Sequence, residues 1–149
     1  MDLFEKDTDA ANDGDNIAML TSAGTWYARA DIGRFDDAIA ALDRAANLET
    51  FPTDGTMLAR LRTYYNYGKF TKDQATAEAD PVRKQELTDK SIAMFRRAVE
   101  IGGAMTNQFV ANPQGFLYLS MAQLELGDFT ASETNFKTYE QLLSGGSPQ

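Results

Sequence analysis

Apolar residues along this chain recur every three or four positions, the period of a helix rather than of a strand. The clearest unit spans residues 112–143. Asn112 suits an N-cap, and Pro113 suits the first helical position, where its missing N–H costs nothing. Phe116, Leu119 and Leu124, with Met121 and Leu126 beside them, form one apolar stripe. Gly127-Asp128 breaks the stripe, as glycine does at a helix end. A second stripe follows in Phe129, Phe136, Tyr139 and Leu143. Two helices joined by so short a turn lie antiparallel, so the pattern predicts a helical hairpin of about 32 residues.

The hairpin recurs. In the first unit Ile17, Leu20, Gly24, Tyr27 and Ala28 share a face, with Trp26 at its edge. Gly33-Arg34-Phe35 interrupts, and Ala38, Leu42 and Ala45 mark the next face, with Ile39 and Ala46 beside it. The segment from Gly33 to Ala38 thus corresponds to that from Gly127 to Ser132. A loop runs from Glu49 to Gly55, with Asp54 as the expected cap. The middle unit has one face in Met57, Leu58, Leu61, Tyr64, Tyr65 and Gly68, and another in Leu87, Ile92, Phe95, Ala98 and Val99. Asp80-Pro81 is a cap followed by proline. The faces of this unit stand about eleven residues further apart than those of the last. The intervening polar, helix-favouring residues are read as helix extensions meeting near Asp80, the alternative being a disordered loop. Gly102-Gly103 is the expected end, with residues 102–111 as a long connection whose Met105, Phe109 and Val110 tuck against the core.

Composition narrows what such a chain does. Its 149 residues are 43% hydrophobic, enough for one domain with a continuous core. A net charge of −8 and pI near 4.5 argue against nucleic acid and against anionic membrane surfaces. With no Cys and no His, thiol chemistry, disulfides and the usual general base and transition-metal ligand are missing. Residues 1–15 carry six Asp/Glu against Lys6 and read as a solvated acidic arm. Asp7, Asp9, Asp13 and Asp15 around Gly14 invite a calcium loop. With Gly14 at the turn, however, Ala11 and Leu20 occupy ligand positions, and weak divalent binding stays the lesser alternative. No apolar run reaches the length of a membrane span. The acidic start lacks the basic and apolar regions of a signal peptide, so a cytoplasmic setting is the default. A periplasmic or exported one is the alternative if a signal segment has been removed.

Three tandem hairpins suggest a solenoid, and here the chain resembles the tetratricopeptide-repeat family. Phe116, Leu119 and Ser120, then Ser132, Phe136 and Tyr139, follow the family pattern in the last unit. Tyr64, Tyr67 and Gly68, then Ser91, Phe95 and Ala98, follow it in the middle one. Leu20, Ala23, Gly24 and Tyr27, then Ala38, Leu42 and Ala45, follow it in the first, with two extra residues before Ala38. The family's proline is missing, and Trp26 is off the usual position. The resemblance implies an all-α fold: tandem antiparallel hairpins in a short right-handed solenoid, with units at about 16–50, 54–102 and 112–143 and the middle hairpin extended. Residues 144–149 are the expected flexible tail.

The resemblance further implies a non-catalytic interaction module whose concave side takes a peptide or helix. The groove residues it indicates are Arg62, Tyr65, Asn66, Lys69 and Lys72 in the middle unit and Gln114, Leu117, Tyr118 and Met121 in the last; Thr21, Ser22 and Thr25 are offered by the first. Residues 60–97 hold nine Lys/Arg against five Asp/Glu, which suits an acidic peptide or a C-terminal carboxylate. A solvated helix face is the alternative for these cations. Thr21 and Thr25 stand where the family's carboxylate clamp has Lys and Asn, so the full clamp is absent. Neither Asp36-Asp37 nor Glu125 with Asp128 sits in a catalytic pattern, and there is no phosphate loop. No enzyme and no cofactor is expected. Two alternatives stand beside the adaptor: a self-assembling scaffold, through a homo-oligomer formed by the C-terminal helix, and a chaperone for a secreted or membrane partner.

Overall fold

The structure, a computed structural model, describes residues 13–29 and 32–145. Most of the expected acidic arm, with Asp7 and Asp9, and residues 146–149 of the expected tail lie outside them. Among the described residues there are six α-helices and no strand. They are α1 Asp13–Tyr27, α2 Phe35–Leu48, α3 Asp54–Ala77, α4 Pro81–Gln108, α5 Pro113–Glu125 and α6 Phe129–Leu143. The all-helical class expected from sequence is the class observed. Helix α1 takes in residues 13–15, which the pattern assigned to the arm. None of these helices is long and apolar enough to cross a membrane.

Local chemistry sets the helix ends. Asp80, Asn112 and Asp128 accept hydrogen bonds from the backbone N–H of Arg83, Gln114 and Ala131, and prolines open α4 and α5. Helix α3 begins one residue earlier than expected: Thr53 is the cap, accepting from Thr56 N–H, and Asp54 is already helical. The two short turns share one backbone solution. Gly33 (φ 66°) and Gly127 (φ 82°) occupy the left-handed region. Arg34 (φ −90°, ψ 62°) and Asp128 (φ −86°, ψ 73°) follow, and Phe35 and Phe129 open the next helices.

Helices α3 and α4 have 24 and 28 residues, against 13 to 15 for the others. Their junction falls at residues 78–80, where the Asp80-Pro81 signal placed it. The expected stop at Gly102-Gly103 is corrected: α4 continues to Gln108, and the link to α5 is residues 109–112. Gly102 serves close packing instead of termination. A Cβ there would stand 3.0 Å from the Cβ of Leu119 on α5.

Each helix packs on its sequence neighbours, α1 also meets α3, and α3 also meets α5. Among the described residues α2, α4 and α6 do not meet one another. Small residues mark the closest approaches inside each pair. A Cβ on Gly24 would collide with Leu42, and one on Gly68 would lie 2.7 Å from the Phe95 ring. The Ser91 hydroxyl donates to Gly68 O at 2.8 Å, and the Ser132 hydroxyl donates to Ser120 O at 2.7 Å.

The main core lies across α3, α4 and α5, in Met57, Leu61, Tyr64, Tyr65, Phe95, Ala98, Ile101, Met105 and Ala122. Ala23, Tyr27 and Ala38 form a separate cluster between α1 and α2. Phe35 ties α2 to α3, stacking on Tyr67 at 4.9 Å and lying 5.3 Å from Phe70. The Tyr67 hydroxyl donates to Asp36 Oδ1 at 3.0 Å, tying α3 to α2.

Candidate functional site

Helix α3 buries Leu61, Tyr64, Tyr65 and Gly68 against its neighbours. Arg62 and Asn66 turn to another side of the helix, next to Ala59 and Thr63, which are buried there. They line an open cavity of about 320 Å³ with Thr25 of α1, Ala28 and Arg29 in the turn just after it, and Tyr118 from α5. Thr25 and Arg29 also border a cavity of about 390 Å³ with Thr21, Ser22 and Trp26. The groove thus runs from Trp26, 39% exposed, across Arg62 and Asn66 to Tyr118.

The polar lining divides by what it already bonds. Thr25 donates to Thr21 O at 2.9 Å, and Thr63 donates to Ala59 O at 2.8 Å. Both hydroxyl protons are committed to their own helix; Thr25 is exposed and keeps lone pairs and a methyl group for a ligand, whereas Thr63 is buried. The side chains of Arg62, Asn66 and Tyr118 make no hydrogen bond or ion pair within the described residues. All three carry donors suited to a carboxylate or a backbone carbonyl, and the guanidinium adds charge.

Of the nine residues expected from sequence, the structure brings Arg62, Asn66 and Tyr118 together in this cavity. Tyr65 does not present itself to a groove. It is 9% exposed, with its ring 5.8 Å from Phe95 and 5.9 Å from Tyr118. Burial, and next the Glu125 carboxylate, push its hydroxyl pKa above the ordinary value. Met121 packs on the same core from α5. Gln114 and Leu117 are partly buried and do not line the cavity.

Lys69 and Lys72 are engaged elsewhere. Their ammonium groups stand 3.2 and 2.6 Å from the two carboxylate oxygens of Glu125, at the end of α5. Burial pushes the Glu125 carboxyl up, but the hydrogen bonds from Lys72 and Lys69 outweigh it and hold the pKa below 4.5. The two cations also favour the C-terminal end of the α5 dipole. Arg60, Arg83 and Arg97 sit in ion pairs with Asp43, Glu86 and Glu100. Five of the nine cations over residues 60–97 are therefore held in ion pairs, and the charge this stretch brings to the groove is that of Arg62.

Arg29, Ala59 and Thr63 were not among the residues expected from sequence. The signal for Arg29 was its position four residues after Thr25, had the helical period been carried past Tyr27. Glu125 is the other omission. It is a carboxylate at a helix end, opposite two lysines spaced three apart on α3, but only the docking of α5 on α3 pairs them. No family model matches this chain, and no curated protein and no solved structure does so either.

Proposed function

We propose that the chain is a short right-handed solenoid of three tetratricopeptide-like hairpins, and that it is a non-catalytic module binding a peptide or helix along α1, α3 and α5. Support for the architecture comes from the packing order. The first helices of successive pairs touch, and the second helices touch only first helices. The small-residue contacts between Ser91 and Gly68 and between Ser132 and Ser120 repeat from pair to pair.

One observation carries the binding reading: Arg62, Asn66 and Tyr118 converge on one open groove with no polar partner among the described residues. A ligand offering a carboxylate and backbone carbonyls meets all three. Trp26 at one end and Tyr118 at the other supply aromatic contact, the kind that anchors interfaces. The favoured ligand is an acidic or C-terminal peptide held by Arg62, with Lys69 and Lys72 bracing the wall behind it.

Selection from random peptides with free C-termini tests this, with binding read by the fluorescence of Trp26, the sole tryptophan. Enriched peptides carry acidic residues or depend on their terminal carboxylate. Arg62→Glu weakens them about tenfold or more, the equivalent of about 1.4 kcal/mol. Lys137→Glu, on α6, leaves them unchanged. Peptides that bind Arg62→Glu as tightly as the parent overturn the reading.

A further inference from the structure

Helix α6 has a packed side and a bare side. Its one buried residue is Ser132. Phe129, Phe136 and Leu143 are 67%, 42% and 60% exposed. They stand seven residues apart, twice, so they share a face with a drift of only about 20° per step. Tyr139 borders the stripe on one flank, its ring 5.7 Å from that of Phe136. Glu133, Lys137 and Glu140 border the other, and Lys137 pairs with Glu133 at 3.0 Å. Among the described helices α6 meets only α5, and exposed apolar residues gathered on one helix face in this way mark an interaction surface.

The stripe is symmetric about its own centre. Phe136 is the midpoint between Phe129 and Leu143, so the pattern reads the same in both directions. We propose that a second copy of this chain covers it, two α6 helices packing antiparallel about a two-fold axis at Phe136. In that register Phe136 meets its own counterpart, and Phe129 meets Leu143 of the other copy, twice over. An isologous contact needs this self-complementarity. The antiparallel sense also opposes the two helix dipoles, whereas a parallel pair aligns them.

The charged flank fits the register unevenly, and this sets the strength. Lys137 of each copy comes within one turn of Glu133 of the other, but Glu140 comes beside Glu133 as well. The like charges weaken the pair at low ionic strength, and salt screens them. A 15-residue helix is about 22 Å long, and one helix on one helix buries on the order of 500 Å² per copy, below the roughly 800 Å² of a standard interface. The dimer is therefore weak, with a dissociation constant on the order of 10–100 μM.

Sedimentation of the full chain across that range shows a monomer–dimer equilibrium that tightens severalfold with added salt. Phe136→Glu abolishes it while leaving the helical circular dichroism unchanged, since the residue is exposed. Because the chain has no cysteine, single cysteines report the register. Phe136→Cys cross-links to itself through a short bismaleimide. Phe129→Cys and Leu143→Cys do so only when mixed, because two copies of either lie about 21 Å apart along the axis. A monomer throughout the range, a Phe136→Glu dimer as strong as the parent's, or Phe129→Cys cross-linking to itself as readily as to Leu143→Cys overturns the proposal.

Discussion

Gly68 and Gly103 both lie inside the long helices of the middle pair, and only their surroundings tell them apart. A Cβ on Gly68 would press into the Phe95 ring at 2.7 Å, whereas one on Gly103 would meet nothing within 4 Å. Gly68→Ala must push an aromatic ring out of a packed core and is expected to cost about 1–3 kcal/mol. Gly103→Ala only removes backbone freedom from the unfolded chain and is expected to stabilise by about 0.5–1 kcal/mol. Urea denaturation midpoints for the two variants should move in opposite directions; a Gly68→Ala midpoint at or above the parent's would contradict the packing at Gly68. Glu125 gives a second test at this scale. Its folded pKa lies below 4.5, so its stabilisation is fully present above that value and is lost as pH falls through the lowered folded value. Lys69 and Lys72 are 40% and 52% exposed, so solvent screens the contact and its worth is about 1 kcal/mol. Glu125→Gln should be less stable than the parent by that amount at neutral pH, and the gap should close in acid. A gap that persists under both conditions would mean the contribution is packing, not charge.

At the scale of elements, what could be read from sequence was what local chemistry decides. The two Gly-X-Phe turns were legible because a glycine in the left-handed region followed by a helix start is a local event. The break before α4 was legible because Asp80 caps it and Pro81 opens it. Asp80→Ala should cost about 1 kcal/mol by leaving the Arg83 N–H without its side-chain acceptor. Amide exchange confined to the first turn of α4 would show the loss, and an unchanged rate there would remove the cap from the account. What stayed illegible depended on the docking of one helix on another. Gly102 reads as a helix end because glycine commonly is one. It is a contact for Leu119 only because α5 returns across α4. Tyr65, Lys69 and Lys72 share the α3 sequence with Arg62 and Asn66. A small rotation of α5 on α3 decides which of them reach a groove, which enter the core and which meet Glu125. The helical period gives the faces but not the neighbours, so it was legible that Arg62 and Asn66 share a face of α3, and the pairing of the lysines with Glu125 was not.

Over the whole molecule the packing is uneven, and stability should follow it. Helices α3, α4 and α5 share the large core, α1 and α2 hold a small one, and α6 buries only Ser132. Where each helix leans on its neighbours, local opening costs what the local contacts supply. Backbone amides of α3 and α4 should therefore exchange slowest and those of α6 fastest, with α1 and α2 between them. Phe35 is the aromatic tie between α2 and α3, 4% exposed and stacked on Tyr67. Removing it should do more than weaken the average. Phe35→Ala is expected to cost about 3–5 kcal/mol, and the loss should fall on α1 and α2, whose exchange becomes fast while α3 to α5 keep most of their protection. Hydrogen exchange followed by mass spectrometry separates these segments. If all six helices lost protection together in Phe35→Ala, the chain would be one cooperative unit, and the division into two cores would have no energetic meaning. If α1 and α2 alone were released, the groove would lose Thr25 and Arg29 while Arg62, Asn66 and Tyr118 stayed in place. Ligand binding by that variant would then measure how much of the groove α3 and α5 supply by themselves.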